Sequence, residues 1–307
     1  MKKRLFVVGI VIVLILSLTA CKSNDYKEAV QFQNEAKYEE ALELYGNIGN
    51  EYKDVEDRVA ECQSYIDAIK EYDLSKQRVE EMNSNLEEKI TEAETLANST
   101  EIALDETLRP ALETTISSAK AAKFEVSEIP SELSEIKGAT DSINGVNYDD
   151  VLNELQISYD ALDKSIKQYA LVNNPKEAYV IERLSKVENI VDISAVTEDN
   201  DPNGNLNKAG GYTAQVYFSC DLVNQADVSG NTVIDKGTDC GGSVEVYSTP
   251  EDATKRNDYL ATYDGTIFAS GSHTVIGTCL IRTSDKLTAS QQTEIETAII
   301  SQLTAIE

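Results

Sequence analysis

The stretch YDDVLNELQISYDALDKSIKQYALVNNP, Tyr148–Pro175, decides how the fold is read. Tyr148, Leu152, Leu155, Tyr159, Leu162, Ile166 and Tyr169 recur in alternating steps of four and three. That is the spacing of a helix with one apolar seam. Asn147, with Asp150 behind it, supplies the N-cap. Such a helix is about 35 Å long at 1.5 Å per residue. It ends at Asn173-Asn174-Pro175, where the composition changes. Gly and β-branched residues become common and Lys falls. The chain therefore reads as a helical part before Pro175 and an α+β part after it.

Upstream of that seam, Asp73 to Asn173 is charged, almost free of Gly, and periodic. Val79, Met82, Leu86, Ile90, Ala93 and Ala97 form one apolar stripe. Ile102, Leu108, Leu112, Ile116 and Ala119 form a second, whose helix Pro110 must start or kink. Leu133, Ile136 and Ile143 suit a shorter helix that stops near Gly145. Together these predict a bundle or stalk of three or four antiparallel helices.

Further back, Lys22 to Asp25 reads as a tether, and Tyr26 to Tyr72 as helices. Val55, Val59, Cys62, Ile66 and Ile69 lie at spacings of three and four. Cys62 on that stripe reads as a buried thiol. Tyr38, Ala41 and Tyr45 set out Tyr-x-x-Ala-x-x-x-Tyr. This resembles the second helix of a tetratricopeptide repeat, with Tyr26 to Ala36 as its partner. The resemblance extends over roughly one and a half repeats, whereas stable arrays need about three. It implies helical packing first and a peptide-binding groove second.

Downstream, Lys176 to Lys186 reads as a helix, and Ile190 to Thr197, Tyr212 to Cys220 and Ser243 to Tyr247 as strands. Glu198 to Gly211 and Asp221 to Gly242 are long polar loops. Thr249-Pro250-Glu251-Asp252 opens a helix with a cap, a first-turn Pro and two acids. Thr266 to Ser270 and Thr274 to Arg282 read as strands joined at Gly271-Ser272-His273. Thr288 and Gln291 form a capping box for a last helix, Ala289 to Leu303. The order α-β-β-β-α-β-β-α implies a compact α+β domain with a mainly antiparallel sheet and helices on one face. Three stretches carry a family resemblance: Val196 to Gly204, Asp235 to Asp239, and Phe268 to His273. They resemble a C-terminal domain of lipoproteins and other surface proteins of Gram-positive bacteria, a family that implies location and domain limits but no activity.

The N-terminus supports the same location. Met1-Lys2-Lys3-Arg4 precedes an apolar run from Leu5 to Leu16, and Leu18-Thr19-Ala20-Cys21 follows. The last four residues resemble the bacterial lipobox. The resemblance implies cleavage before Cys21 and a diacylglyceryl group on its thiol. A plain transmembrane anchor and an ordinary secretory signal are the alternatives. The apolar run falls short of the roughly 20 residues a span needs, and all four lipobox residues are present. The domain limits expected are 1–20 (signal), 21–72, 73–174 and 175–307.

The chain has 307 residues, with 54 acidic against 27 basic side chains and a formal charge of −27. Loss of Lys2, Lys3 and Arg4 makes the mature chain more acidic still. Such a charge opposes nucleic acid, which is bound through cations, and opposes a polybasic grip on anionic lipid. Two acyl chains suffice for stable attachment, so Cys21 is the expected link to the membrane, at its extracytoplasmic face.

Three constellations could carry chemistry. Asp199, Asp201 and Asn203, with Gly204, match the first half of a calcium loop, Asp-x-Asp-x-Asn-Gly. The twelfth position is Gly210 rather than Glu, and Pro202 interrupts the loop, so an ordinary turn is the preferred reading and a weak Ca²⁺ site the alternative. Cys220 and Cys240 flank a long loop and are expected to form a disulfide, with a stabilisation of roughly 3 kcal/mol. Cys279, in an apolar strand, reads as a buried free thiol. A zinc site built from Cys220, Cys240, Cys279 and His273 lacks the usual close spacing. His273 is the single histidine, and no nucleophile elbow, phosphate-binding glycine loop or His-Glu-x-x-His is present. No catalytic residue or resident cofactor is assigned. The expected function is a non-catalytic binding or scaffold lipoprotein with a protein or cell-envelope partner, met through the long loops. The alternative is an envelope enzyme acting on cell-wall polymer, with a pocket near His273, Glu245 or Asp239.

Overall fold

The computed structural model of the chain describes residues 22–267 and 269–306. Cys21 and the leader before it lie outside the described residues. A helical N-terminal region is followed by a domain built on a five-stranded antiparallel sheet. No helix among the described residues is long and apolar enough to cross a membrane.

The chain forms two compact units. One comprises residues up to Thr91 with Ser118–Leu152, and the other Glu92–Ser117 with Asn153 onward. In the first unit, α1 spans 22–34 within the described residues, so the expected tether at Lys22 to Asp25 is helical. Ala36 adopts a positive φ at the turn into α2, Tyr38–Ile48. Tyr38, Ala41, Tyr45 and Ile48 line the buried side of α2, against Ala29 of α1 and Val55 and Cys62 of α3. Helix α3 runs without interruption over Val55–Ala97. It contains no Gly or Pro, so nothing in the backbone stops it at the boundary expected near Asp73.

Beyond α4, Leu108–Ala122, residues 123–130 belong to neither helix nor strand. A segment outside helix and sheet must find other partners for its backbone polar groups. Here α3 and Tyr148 supply them. Tyr72 Oη donates to Ser127 O at 2.6 Å and Asn83 Nδ2 to Phe124 O at 2.9 Å. Tyr148 Oη accepts from Phe124 N at 2.8 Å and donates to Asn83 Oδ1 at 2.6 Å. The segment leads into α5, Leu133–Asn144, whose Ile136 and Ile143 pack on Ala68, Tyr72 and Val79 of α3.

In the second unit, Pro110 sits in the first turn of α4, where its missing N–H is tolerated. Ile102 lies before that helix and is exposed, not part of its stripe. Helix α6, Asp149–Val172, carries the seam, with Leu155, Leu162 and Ile166 buried. Asn147 Oδ1 accepts from Asp149 N at its start. After α7, Glu177–Leu184, come β1, Ile190–Ala195, β2, Ala214–Cys220, and β3, Gly241–Val246. The loop between β2 and β3 holds the one-turn helix α8, Val233–Lys236, closed by a Thr232–Asp235 capping box. Then follow α9, Pro250–Ala261, β4, His273–Ile276, β5, Cys279–Thr283, and α10, Ala289–Leu303. Thr249 caps α9 and the Thr288–Gln291 box caps α10. The strand order is β1-β2-β3-β5-β4, antiparallel throughout.

Two expectations change here. Thr274 to Arg282 is not one strand but the β4–β5 hairpin itself, and of the strand expected over Thr266 to Ser270 the described residues Thr266, Ile267, Ala269 and Ser270 lie in no strand. The hairpin turns at Gly277, whose φ is +57° and whose backbone lies so close to Val172 O that a Cβ would come within 2.6 Å of it. Thr278 N and Oγ1 both donate to that same carbonyl at 3.0 Å, which fixes the turn to the end of α6. Nor are the helices confined to one face of the sheet. Helices α7 and α10 cover Val216, Phe218, Val244 and Ile281, while α9 packs on Tyr247 and Leu280 from the other side.

Candidate functional site

A concave opening lies in the first unit. It is a groove of about 440 Å³ lined by the end of α1, the start of α2, one face of α3 and the segment Ile129–Glu132. The Tyr38 and Tyr65 rings stack in it, with centroids 4.6 Å apart and planes 11° from parallel. Tyr38 is placed by the buried stripe of α2, and Tyr65 by α3, nearly two turns beyond the Val59 level of the same stripe. Ile69 and Ile136 make the apolar floor, and Ile129, itself exposed, makes a wall. Tyr65 Oη accepts weakly from Leu133 N at 3.4 Å, which joins the wall to α3.

The groove is electrically one-sided. Glu61 and Glu132 line it, and no Lys, Arg or His does so. Burial pushes the Tyr38 hydroxyl above its ordinary pKa first, and Tyr65, Cys62, Glu61 and Glu132 push it in the same direction. Glu61 accepts one hydrogen bond, from Gln33 Nε2 at 2.7 Å. Glu132 precedes α5 without giving it a side-chain cap. The nearby cation Lys37 is held by Glu35 at 2.6 Å. A second hollow of the same unit, about 300 Å³, differs in this respect, because Lys123 lines it and pairs there with Glu87.

The second unit gathers most of the residues singled out by sequence, with different roles. Asp201 is a turn anchor. Its carboxylate accepts from Asn203 N at 2.9 Å, Leu206 N at 2.8 Å and the Tyr212 hydroxyl. Burial raises its pKa, but these hydrogen bonds outweigh burial and hold it down at about 2. Asn203 reaches Tyr212 Oη at 3.5 Å. Asp199 is exposed. Among the described residues, no three acids, cysteines or histidines come together as metal ligands. The loop is thus organised by Asp201 as an Asx-type turn.

The expected Cys220–Cys240 disulfide is not formed. Both are free, buried thiols, as are Cys62 and Cys279. Cys240 Sγ is turned toward the carbonyl oxygens of Gly237, at 3.2 Å, and Phe218, at 3.5 Å. Burial pushes the Cys240 thiol up to about 11 and that of Cys279 up to about 12, which leaves both as inert thiols.

Glu245 and His273 share one face of the sheet, and Asp239 stands apart. Glu245 is fully buried; Arg282 Nη1 lies 3.1 Å from Oε1, and Tyr247 Oη and Arg256 Nε reach Oε2 at 2.6 and 3.3 Å. Arg282 also donates to Ser270 Oγ at 2.9 Å. His273, opposite Arg282 in the β4–β5 register, contacts Asn257 Oδ1 through Nδ1 at 2.7 Å. Asp239 offers only its backbone carbonyl, to Ser284 Oγ. Gln215 Oε1, Ser243 Oγ and Arg282 Nε lie on the same face with no hydrogen-bond partner among the described residues. Sequence reading passed over Arg282, Gln215 and Ser243. The available signal was a charge inside an apolar run, as in Val244-Glu245-Val246 and Ile281-Arg282-Thr283.

The sequence matches no known family model, and no curated protein and no solved structure matches it.

Proposed function

We propose that the chain is a membrane-anchored extracytoplasmic lipoprotein that acts as a non-catalytic binding or scaffold module at the cell surface. Cys21 carries the diacylglyceryl anchor, and the partner is a protein or a cell-envelope component. The observation that carries the binding role is the open groove beside the stacked Tyr38 and Tyr65, with an apolar floor and polar residues around it. Concave, largely preformed sites of this volume suit recognition. The alternative of an envelope enzyme draws on Glu245 and His273. The commitment of both Glu245 oxygens to Arg282, Arg256 and Tyr247 favours a structural use of that carboxylate.

Two arms test the proposal in intact cells. Wild type should take up a fatty-acid probe and sediment with membranes, whereas Cys21→Ala should be unlabelled and released. Equal labelling of the variant would refute the anchor. A photo-crosslinking residue at position 129 of the full chain should give adducts that one at position 177 does not. Identical adduct patterns would refute the groove as the contact surface.

A further inference from the structure

We infer that the groove beside Tyr38 and Tyr65 docks a segment of a partner protein through a lysine or arginine side chain that meets Glu61 and Glu132. This rests on the binding-module reading and names what that module recognises. Three features of the groove fit a cationic chain. The carboxylates of Glu61 and Glu132 stand at an opening lined by no base. Both act on the Tyr38 hydroxyl, so they share one local field. The stacked tyrosines give a cation an electron-rich surface, and the alkyl stem of a Lys or Arg can lie along Ile69 and Ile129. The wall Ile129–Glu132 belongs to neither a helix nor a strand and lies beside the start of α5. Two other acidic places differ. The Glu87 hollow already contains Lys123, and Glu245 is neutralised by two arginines.

The test measures fluorescence polarisation of labelled Ala-Pro-Arg-Leu-Ala-Pro-Arg-Leu with the purified full chain. Replacing both arginines of the probe by glutamine should weaken binding about tenfold, the size expected of a cation meeting an aromatic face and two partly solvated carboxylates. Glu61→Gln with Glu132→Gln should weaken the arginine probe by a similar factor. Both positions are exposed, and circular dichroism checks the fold. Glu177→Gln with Glu251→Gln, equally exposed but in the second unit, should leave binding unchanged. Equal weakening by that control pair would mean diffuse acidity and would overturn the inference. So would a glutamine probe that binds as tightly as the arginine one, although the binding module would then stand. Free arginine amide competing as well as the peptide would replace a docked chain by a small cation. No binding of any probe would remove the ligand class, and the crosslinking arm at position 129 would still decide the module.

Discussion

Val216, Phe218, Val244 and Ile281 lie on one side of the sheet, and Gln215, Tyr217, Ser243, Glu245 and Arg282 alternate with them on the other. Both sets are buried, on the same strands and in the same register. One side is held by apolar area shared with α7 and α10. The other is held by the network of Glu245 with Arg282, Arg256 and Tyr247 beneath α9, beside the unpartnered Gln215 Oε1 and Ser243 Oγ, with apolar patches at its margins. The difference concerns how each side fails. An apolar face fails through lost volume, and a polar face fails when one partner strands another.

Phe218→Ala should give the largest effect, a loss of about 3–5 kcal/mol. Its ring is fully buried in the core shared with α7 and α10, against Gly242, where a Cβ would lie 2.4 Å from a ring carbon. Chemical denaturation measures the loss, and a value under about 1 kcal/mol would erase the distinction between the faces. Next comes Glu245→Gln, expected to cost about 3 kcal/mol because it leaves Arg282 buried without its counter-charge. The double change Glu245→Leu with Arg282→Leu should recover to within about 1 kcal/mol of wild type. If the double change is as damaging as the sum of the two single changes, the polar face does not depend on mutual satisfaction.

The smallest effect concerns pH. Asp201 titrates lower in the folded chain than in the unfolded one, at about 2. Its contribution is therefore complete above the ordinary carboxylate range and is lost as pH falls toward about 2. Asp201→Asn should flatten the stability profile between pH about 4 and 2 and leave it unchanged in shape near neutrality. An unaltered acid limb would remove Asp201 from the account.

Much of the local structure was legible because it depends on neighbours in sequence. The seam from Tyr148 to Tyr169, the Thr249-Pro250 start and the Thr288–Gln291 box each contain their own cause. The β4–β5 hairpin was misplaced because its turn is fixed by Val172, more than a hundred residues away in sequence, rather than by a local signal. Thr266 to Ser270 has strand composition, but Thr266 N bonds back to Tyr263 O and Ala269 N to Thr266 O, so the segment turns instead. The groove was hidden for a related reason. Tyr38 could be read as a repeat position, but its stacking on Tyr65 and the wall at Ile129 join three separate parts of the chain. Alternation concealed the polar face as well, because a charge in a strand is ordinarily solvent-facing and here solvent is excluded by α9 and the loops.

The two units interleave along the chain, and each boundary between them falls within a helix: α3, α4 or α6. This bears on the order of assembly. A chain synthesised or exported N-terminus first delivers residues 92–117 before Ser118–Leu152, which complete the first unit. Those early residues must then wait for α6, where Ser165 accepts from Leu104 N and Asp105 N. No single exposed linker can be cut to release either unit intact. A nick at any boundary breaks a helix, and maturation by clipping between the units is closed to this architecture.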